Sequence, residues 1–376
     1  MRLSADSFPA MFEPRHRELA ERLMGISETV SIRGRKSANE ANAVLAETGL
    51  YPHLIPKEGK LDVRALCTIR EMLGASSVQA DSIFAVQGLG ITPVFLAGSE
   101  AQQKQASEIA EGRLVAGFGL TEPEAGSDVA SLRCAATKTS NGYVLNGEKT
   151  LISNAGLASH YTVFATVDPE RGRSGISAFW VPADTKGLVV EPLKTSVDHP
   201  LGRVVLNKCE VPSKALLGRE GQGFELAMST LDTFRVTVGA AAIGMARKAI
   251  DQTVSHVNGR TQFGKPLAAQ PVVRSMLATM ATDLDASALL VARAAWEKDV
   301  NGSAATVETA MAKLFATEAA GRIIDSAVQL HGGRGVLEGE CVEELYRAVR
   351  PLRIYEGASE IQRLIIGRAI AKTGGQ

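Results

Sequence analysis

Four cysteines in 376 residues are too few and too scattered for a disulfide framework. Cys67, Cys134, Cys209 and Cys341 form no CxxC pair and have no histidine at ligand spacing, which also argues against a zinc site. The six histidines, His16, His53, His160, His199, His256 and His331, show neither HxxxH nor HExxH spacing, so a metal hydrolase has no support. A GxSxG elbow is missing, as are a Walker loop and a GxGxxG after a strand. Any nucleotide-like ligand must therefore be held in another way. Nor is there an excess of one charge: 41 Lys and Arg balance 41 Asp and Glu, leaving no electrostatic argument for nucleic acid or a membrane surface. A small-molecule ligand is the default. The start, MRLSADSFPAMFEPRHR, lacks the apolar core of a signal peptide, and no uninterrupted hydrophobic run has the length of a bilayer span. A soluble, cytoplasmic protein without a membrane partner is expected.

What is present falls into three blocks, which predict an α+β multidomain chain. Residues 1–113 carry helical spacing, as in Leu19, Ala20 and Leu23, then Val63, Leu66, Cys67, Arg70 and Leu73, with Gly74, Gly88, Gly90 and Pro93 as punctuation. Residues 114–218 change to short β-branched and aromatic runs, YVLNG, YTVFATV, ISAFWVP, GLVVEPL and GRVVLNKCEVP, separated by Gly, Asn, Asp and Pro. This is the texture of a small, mainly antiparallel β domain. Residues 219–376 return to helical spacing and predict a four-helix bundle. One helix spans about Phe224–Val257, and a second carries the nearly heptad stripe Val273, Leu277, Met280, Leu284, Ala288, Val291 and Ala295. A third carries Val307, Met311, Leu314 and Phe315 and is capped by Gly332 or Gly333; a fourth starts just after Gly357. This order excludes a doubly wound nucleotide-binding sheet.

The stretch FGLTEPEAGSD, residues 118 to 128, follows an apolar run and has the makings of a ligand loop. Thr121 and Ser127 offer hydroxyls, Pro123 fixes a torsion, and Gly126 permits close backbone approach. An ordinary turn uses the same residues, so composition alone leaves both readings open.

Five segments in order resolve the choice. LTEPEAGSD (120–128), NGEKTLISNAG (146–156), RTQFGKPL (260–267), QLHGGRGV (329–336) and IYEGASEIQR (354–363) together resemble the acyl-CoA dehydrogenase family, over nearly the whole chain. The resemblance implies FAD as cofactor and an acyl-CoA substrate oxidised to a 2,3-enoyl-CoA. It implies an electron-transferring flavoprotein as partner and a homo-oligomer, dimer or tetramer. Such a reaction takes a proton from Cα and a hydride from Cβ of a thioester, so it needs a base and an electron sink.

Glu356 in IYEGA is implied as the catalytic base; its neighbours alone read equally as a first-turn glutamate favouring a helix dipole. Phe234 stands where some family members carry the base instead, and it cannot take a proton. The resemblance assigns FAD contacts to Leu120, Thr121, Ser127, Ser153, Arg260, Phe263, Gln329, Gly332 and Gly333, with Arg260 and Phe263 reaching a neighbouring subunit's FAD. It assigns substrate contacts to Ser127, Asp232 and Arg235, although Arg235 also reads as a structural ion pair. Three positions depart from the family pattern: Leu151 replaces a common tryptophan, Ala358 a threonine and Glu360 a glutamine. A flavin oxidase or oxygenase on the same fold, and a non-catalytic relative, are the alternatives; relatives of the oxygenase kind often lack the glutamate.

Overall fold

Helices fill the first stretch of the chain: α1 (Ser4–Ser7), α2 (Pro14–Arg33), α3 (Ala38–Glu47), α4 (Val63–Ser76), α5 (Val78–Ala97) and α6 (Glu100–Ala106). The structure, a computed structural model, describes residues 2–302 and 305–373. Sequence-encoded caps start several helices. Ser37 accepts from the Glu40 amide, Asp62 from the Ala65 amide, and Ser99 forms a capping box with Gln102.

Strands follow: β1 (Ala116–Gly119), β2 (Ala135–Lys138), β3 (Gly142–Ser153), β4 (His160–Thr166), β5 (Ile176–Pro182), β6 (Leu188–Pro192), β7 (Leu201–Pro212) and β8 (Leu216–Leu217). They form one sheet of order β6-β7-β3-β2-β4-β5-β8, with β1 added beside β4. Pairing is mainly antiparallel, as expected, but β1 runs parallel to β4 and β2 touches β4 in parallel. The long β3–β7 ladder shifts register between Lys149 and Ile152. This irregularity places Leu151 at φ +55° and leaves it 61% exposed.

The remainder is α7 (Gly223–Gly259), a hairpin of β9 (Thr261–Gln262) and β10 (Lys265–Pro266), α8 (Pro271–Val300), α9 (Thr306–His331), α10 (Cys341–Val349) and α11 (Ser359–Thr373). The helical, β, then helical order is thus the observed one. The stripe predicted for α8 lies on the face it buries, with Val273, Met280, Ala288, Val291 and Ala295 in the core and Leu277 and Leu284 half-buried. Gly332 caps α9 at φ +59°. The hairpin and α10 were not anticipated.

Contacts divide the chain into two compact units. One comprises Met1–Ser31, Asp62–Val78 and Arg235–Gln376. Its core joins Val63 and Cys67 of α4 to Val236, Ala240 and Ile243 of α7, Ala288 and Val291 of α8 and Ala312 of α9. Small residues allow α4 and α7 to cross closely: a Cβ on Gly244 would lie 2.0 Å from the Glu71 carbonyl oxygen. The other unit comprises Ile32–Leu61 and Gln79–Phe234, and its core is the buried face of the sheet, including Tyr143, Leu145, Tyr161, Val163, Phe179 and Val204.

Two expectations need correction. Gly74, Gly88, Gly90 and Pro93 do not punctuate the chain, because Gly74 lies inside α4 and the other three inside α5. Gly88 is needed for packing there, since a Cβ would stand 2.3 Å from Phe234 Cε1 and 2.9 Å from Leu54 Cδ2. Second, α5 and α8 do have the length and mean hydropathy of a bilayer span. Most of α5 is buried as a core helix, whereas α8 carries Arg274, Asp283, Asp285, Arg293, Glu297 and Lys298 outside its buried stripe.

Candidate active site

Glu356 lies in the turn between Arg353 and α11, preceded by the exposed Ile354 and Tyr355. Its φ is +52°, and Gly357 follows at +94°. Left-handed backbone costs an L-residue about 1–2 kcal/mol, so the surroundings must impose it. Three donors from three helices do so. Arg235 Nε on α7 donates to the Glu356 carbonyl at 3.3 Å. Lys313 Nζ on α9 and Gln362 Nε2 on α11 each donate to the Gly357 carbonyl at 2.8 Å. Lys313 and Gln362 are 0% exposed and Arg235 is 7% exposed, so these bonds are made away from water. Residue 357 must be glycine, because a Cβ there would lie 2.4 Å from Gln362 Nε2.

Charge around the turn is dense. Burial pulls the Lys313 ammonium down from its ordinary 10.5 to about 8; the Glu356 carboxylate opposes that shift and the Arg235 guanidinium adds to it. Glu318, also on α9, accepts from Ser359 Oγ and pairs with Arg353, both at 2.7 Å. Burial works against its ionisation, yet those two partners hold its carboxyl below the usual range. Glu356 is half-buried overall, with its Oε2 shielded from solvent, and its charge acts on the Lys313 ammonium.

In the other unit the 120–128 loop is fastened to the sheet. Lys149, fully buried in β3, reaches Glu122 Oε1 at 2.6 Å and the Leu120 carbonyl at 3.2 Å. The same Glu122 carboxylate accepts from the amides of Arg133 at 2.7 Å and Cys134 at 2.9 Å. With two charge-assisted amide bonds and one ammonium, the carboxylate is well satisfied. Thr121 is held alongside β3, its carbonyl accepting from the Thr150 amide at 2.9 Å. Leu120 is buried, Thr121 half-buried and Ser127 exposed at the loop's far end. Ser153, at the end of β3, bonds His199 Nε2 at 3.1 Å, and burial pushes that imidazole below its ordinary range. Phe234 is 0% exposed and sits against Gly88, while Asp232 is half-buried on the same helix.

A third grouping surrounds a cavity of about 710 Å³ whose lining includes Arg260, Gln329, Gly332, Gly333, His256 and His331. Arg334, which also lines it, is engaged by Glu340 at 2.7 Å. The two imidazoles stack with ring centroids 4.4 Å apart. Burial, then His331, Arg334 and Arg260, keep His256 below its ordinary range. A guanidinium fork, an amide and exposed glycine backbone form a donor set suited to the phosphates and base of a dinucleotide. Phe263 stands apart from this lining: it occupies the turn of the β9–β10 hairpin at φ +52° and is 95% exposed.

The structure therefore joins Arg235 to Glu356, gathers Leu120, Thr121 and β3 into one assembly, and lines one cavity with Arg260, Gln329, Gly332 and Gly333. Sequence reasoning missed Lys313, Gln362, His199 and the Lys149–Glu122 pair. For Lys313 a signal existed: Thr309, Lys313 and Thr317 recur every four residues among the alanines of α9, and all three are fully buried.

Residues 117–209 match the family described as acyl-CoA dehydrogenase, middle domain, and residues 221–371 match acyl-CoA dehydrogenase, C-terminal domain. A probable acyl-CoA dehydrogenase of Mycobacterium tuberculosis is 36% identical over 341 residues, 89% of this chain and 87% of the relative. A 3-(aryl)acrylate reductase of Clostridium sporogenes is 36% identical over 336 residues, covering 87% and 89% of the two chains. Among solved structures, butyryl-CoA dehydrogenase of Megasphaera elsdenii gives a TM-score of 0.89 at 30% identity, over 96% of this chain and 99% of that one.

Proposed function

This chain belongs to the acyl-CoA dehydrogenase family, and from that membership we propose that it is an FAD-dependent enzyme that oxidises the Cα–Cβ bond of an acyl-CoA thioester, with Glu356 as the base. One observation carries the assignment of the base: a glutamate in left-handed backbone, gripped through its own and the next carbonyl by Arg235, Lys313 and Gln362. A turn so constrained fixes the direction in which the Glu356 side chain leaves the backbone, a first requirement for placing a base against a carbon-bound proton. Ionised Glu356 takes the proton from Cα and later releases it to water. When bound, FAD supplies the two-electron acceptor for the β hydrogen. Phe234, sealed against Gly88, offers no competing base.

The residues that would hold FAD fit it in chemistry. Leu120, Thr121, Ser127 and Ser153 supply an apolar wall and hydroxyls for the flavin side, and Arg260, Phe263, Gln329, Gly332 and Gly333 serve the pyrophosphate and adenosine. Ser127, Asp232 and Arg235 are the substrate contacts in this reading. The 95% exposed Phe263 on its hairpin supports a homo-oligomer, dimer or tetramer, in which it and Arg260 serve a neighbouring subunit's cofactor. An electron-transferring flavoprotein is the electron acceptor, and the cytoplasm the setting. Exposed Leu151, in place of a tryptophan, leaves the flavin side of the site without that aromatic wall. A second reading follows from the reductase among its relatives: the same site run in reverse, with Glu356 returning the proton to Cα.

An anaerobic visible-absorbance titration with butyryl-, isobutyryl-, cyclohexanecarbonyl- and 3-phenylpropanoyl-CoA tests this. At least one ester bleaches the bound flavin, and Glu356→Gln retains FAD without bleaching. A variant that bleaches as fast as the parent removes Glu356 from the role. Fast reoxidation by air after bleaching would instead favour an oxidase, and re-oxidation by an added enoyl-CoA the reverse direction.

A further inference from the structure

Lys313 is a costly residue for the place it occupies. It is 0% exposed on α9, and its Nζ donates to the Gly357 carbonyl at 2.8 Å. Gln362 Nε2 bonds the same oxygen at the same distance without bringing a charge. A backbone clamp alone therefore calls for a second neutral donor, whereas an ammonium adds an electrostatic field at the turn. The group that gains from such a field is the neighbouring Glu356 carboxylate, with its buried Oε2.

We infer that Lys313 is a positioning residue for the base: its ammonium fixes the Glu356–Gly357 turn and keeps the Glu356 carboxylate ionised and ready to accept a proton. The inference rests on the reading of Glu356 as base. Four charged groups act on the ammonium from the surrounding elements: Glu356 in the turn, Arg235 on α7, Glu318 on α9 and Glu360 on α11. Glu318 is already engaged by Arg353 and Ser359, and Glu360 is exposed and paired with Arg363 at 3.5 Å. Glu356 heads the charges that favour the ammonium, and the attraction is mutual. Burial lowers Lys313 only to about 8, so it is charged at neutral pH. Its effect on Glu356 is thus present where the base has to be ionised.

The test is the pH dependence of anaerobic flavin reduction in the holoenzyme, using whichever of the four esters above reduces it fastest. In Lys313→Gln, which keeps a donor but no charge, and in Lys313→Met, the acid limb moves up by about one pH unit, a rate loss of about tenfold on that limb. Lys313→Arg, which keeps the charge, returns the limb toward its parental position. An infrared titration of the carboxyl band, referenced to Glu356→Gln, reports the same shift without turnover. If the limb and the band stay in place in both uncharged variants and only the amplitude falls, Lys313 is merely structural and the inference is wrong. If Glu356→Gln itself still bleaches, the base assignment fails instead, and the two failures are distinguishable.

Discussion

Gly357→Ala is the substitution that most directly probes the turn. The new Cβ meets two penalties. At φ +94° an L-residue is strained by about 1–2 kcal/mol. The methyl also lies 2.4 Å from Gln362 Nε2, so the amide must leave its 2.8 Å bond to the Gly357 carbonyl. A buried hydrogen bond of this kind contributes about 0.5–1.5 kcal/mol, which brings the expected loss of stability to about 2–3 kcal/mol. The functional loss should be larger than stability alone implies, because displacement of the turn moves the Glu356 carboxylate. Misplacement on that scale lowers flavin reduction about tenfold to a hundredfold while FAD stays bound. Urea unfolding followed by fluorescence measures the first quantity, and anaerobic stopped-flow absorbance the second. Gly367→Ala in α11 is the internal control: it has no left-handed φ and nothing within 4 Å of the added methyl, so it should stabilise by about 0.5–1 kcal/mol and leave reduction untouched. If Gly357→Ala matches Gly367→Ala in both assays, the Arg235–Lys313–Gln362 clamp does not govern the placement of Glu356.

Two further outcomes are expected. Glu122→Gln leaves the fully buried Lys149 without its carboxylate and should cost about 3 kcal/mol or more, read as a drop in the urea midpoint at constant slope; an unchanged midpoint would contradict the role given to this pair. Lys313 should also mark the pH dependence of stability. Its folded value of about 8 lies below the ordinary 10.5, so between those pH values the unfolded chain binds the proton more tightly. Stability from this group then rises with pH across that window, by up to about 3 kcal/mol, and is penalised in full below about pH 8. Subtracting the Lys313→Met profile isolates the rise, and a flat difference between pH 7.5 and 10.5 would show that Lys313 is not buried as an ammonium.

Much of the architecture was legible because it rests on periodicity. The stripe on α8, the Gly332 cap and the start of α11 after Gly357 are local consequences of which residues are apolar and which tolerate left-handed backbone. α5 was misread for a physical reason. Gly88, Gly90 and Pro93 are helix breakers by propensity, but burial of a predominantly apolar helix outweighs propensity, and Gly88 makes the space that Phe234 fills. The β9–β10 hairpin is too short, and α10 too close to a glycine-rich turn, to stand out in the sequence. Leu151 was legible as a departure from the family, but its exposure follows from a register shift that no local pattern encodes.

By itself, the sequence determined the order of helical and β elements, the family, and the identity of the glutamate in IYEGA as the residue to watch. Only the tertiary structure decided what surrounds it. Arg235, Lys313 and Gln362 lie on three helices, separated in sequence by tens of residues, and their convergence on two consecutive carbonyls depends on how α7, α9 and α11 pack. Helical spacing says that Lys313 faces inward; it does not say which oxygen it meets. That pairing is set by the packing of side chains in the core, where a buried donor must find an acceptor and the acceptor it finds belongs to the turn that carries Glu356.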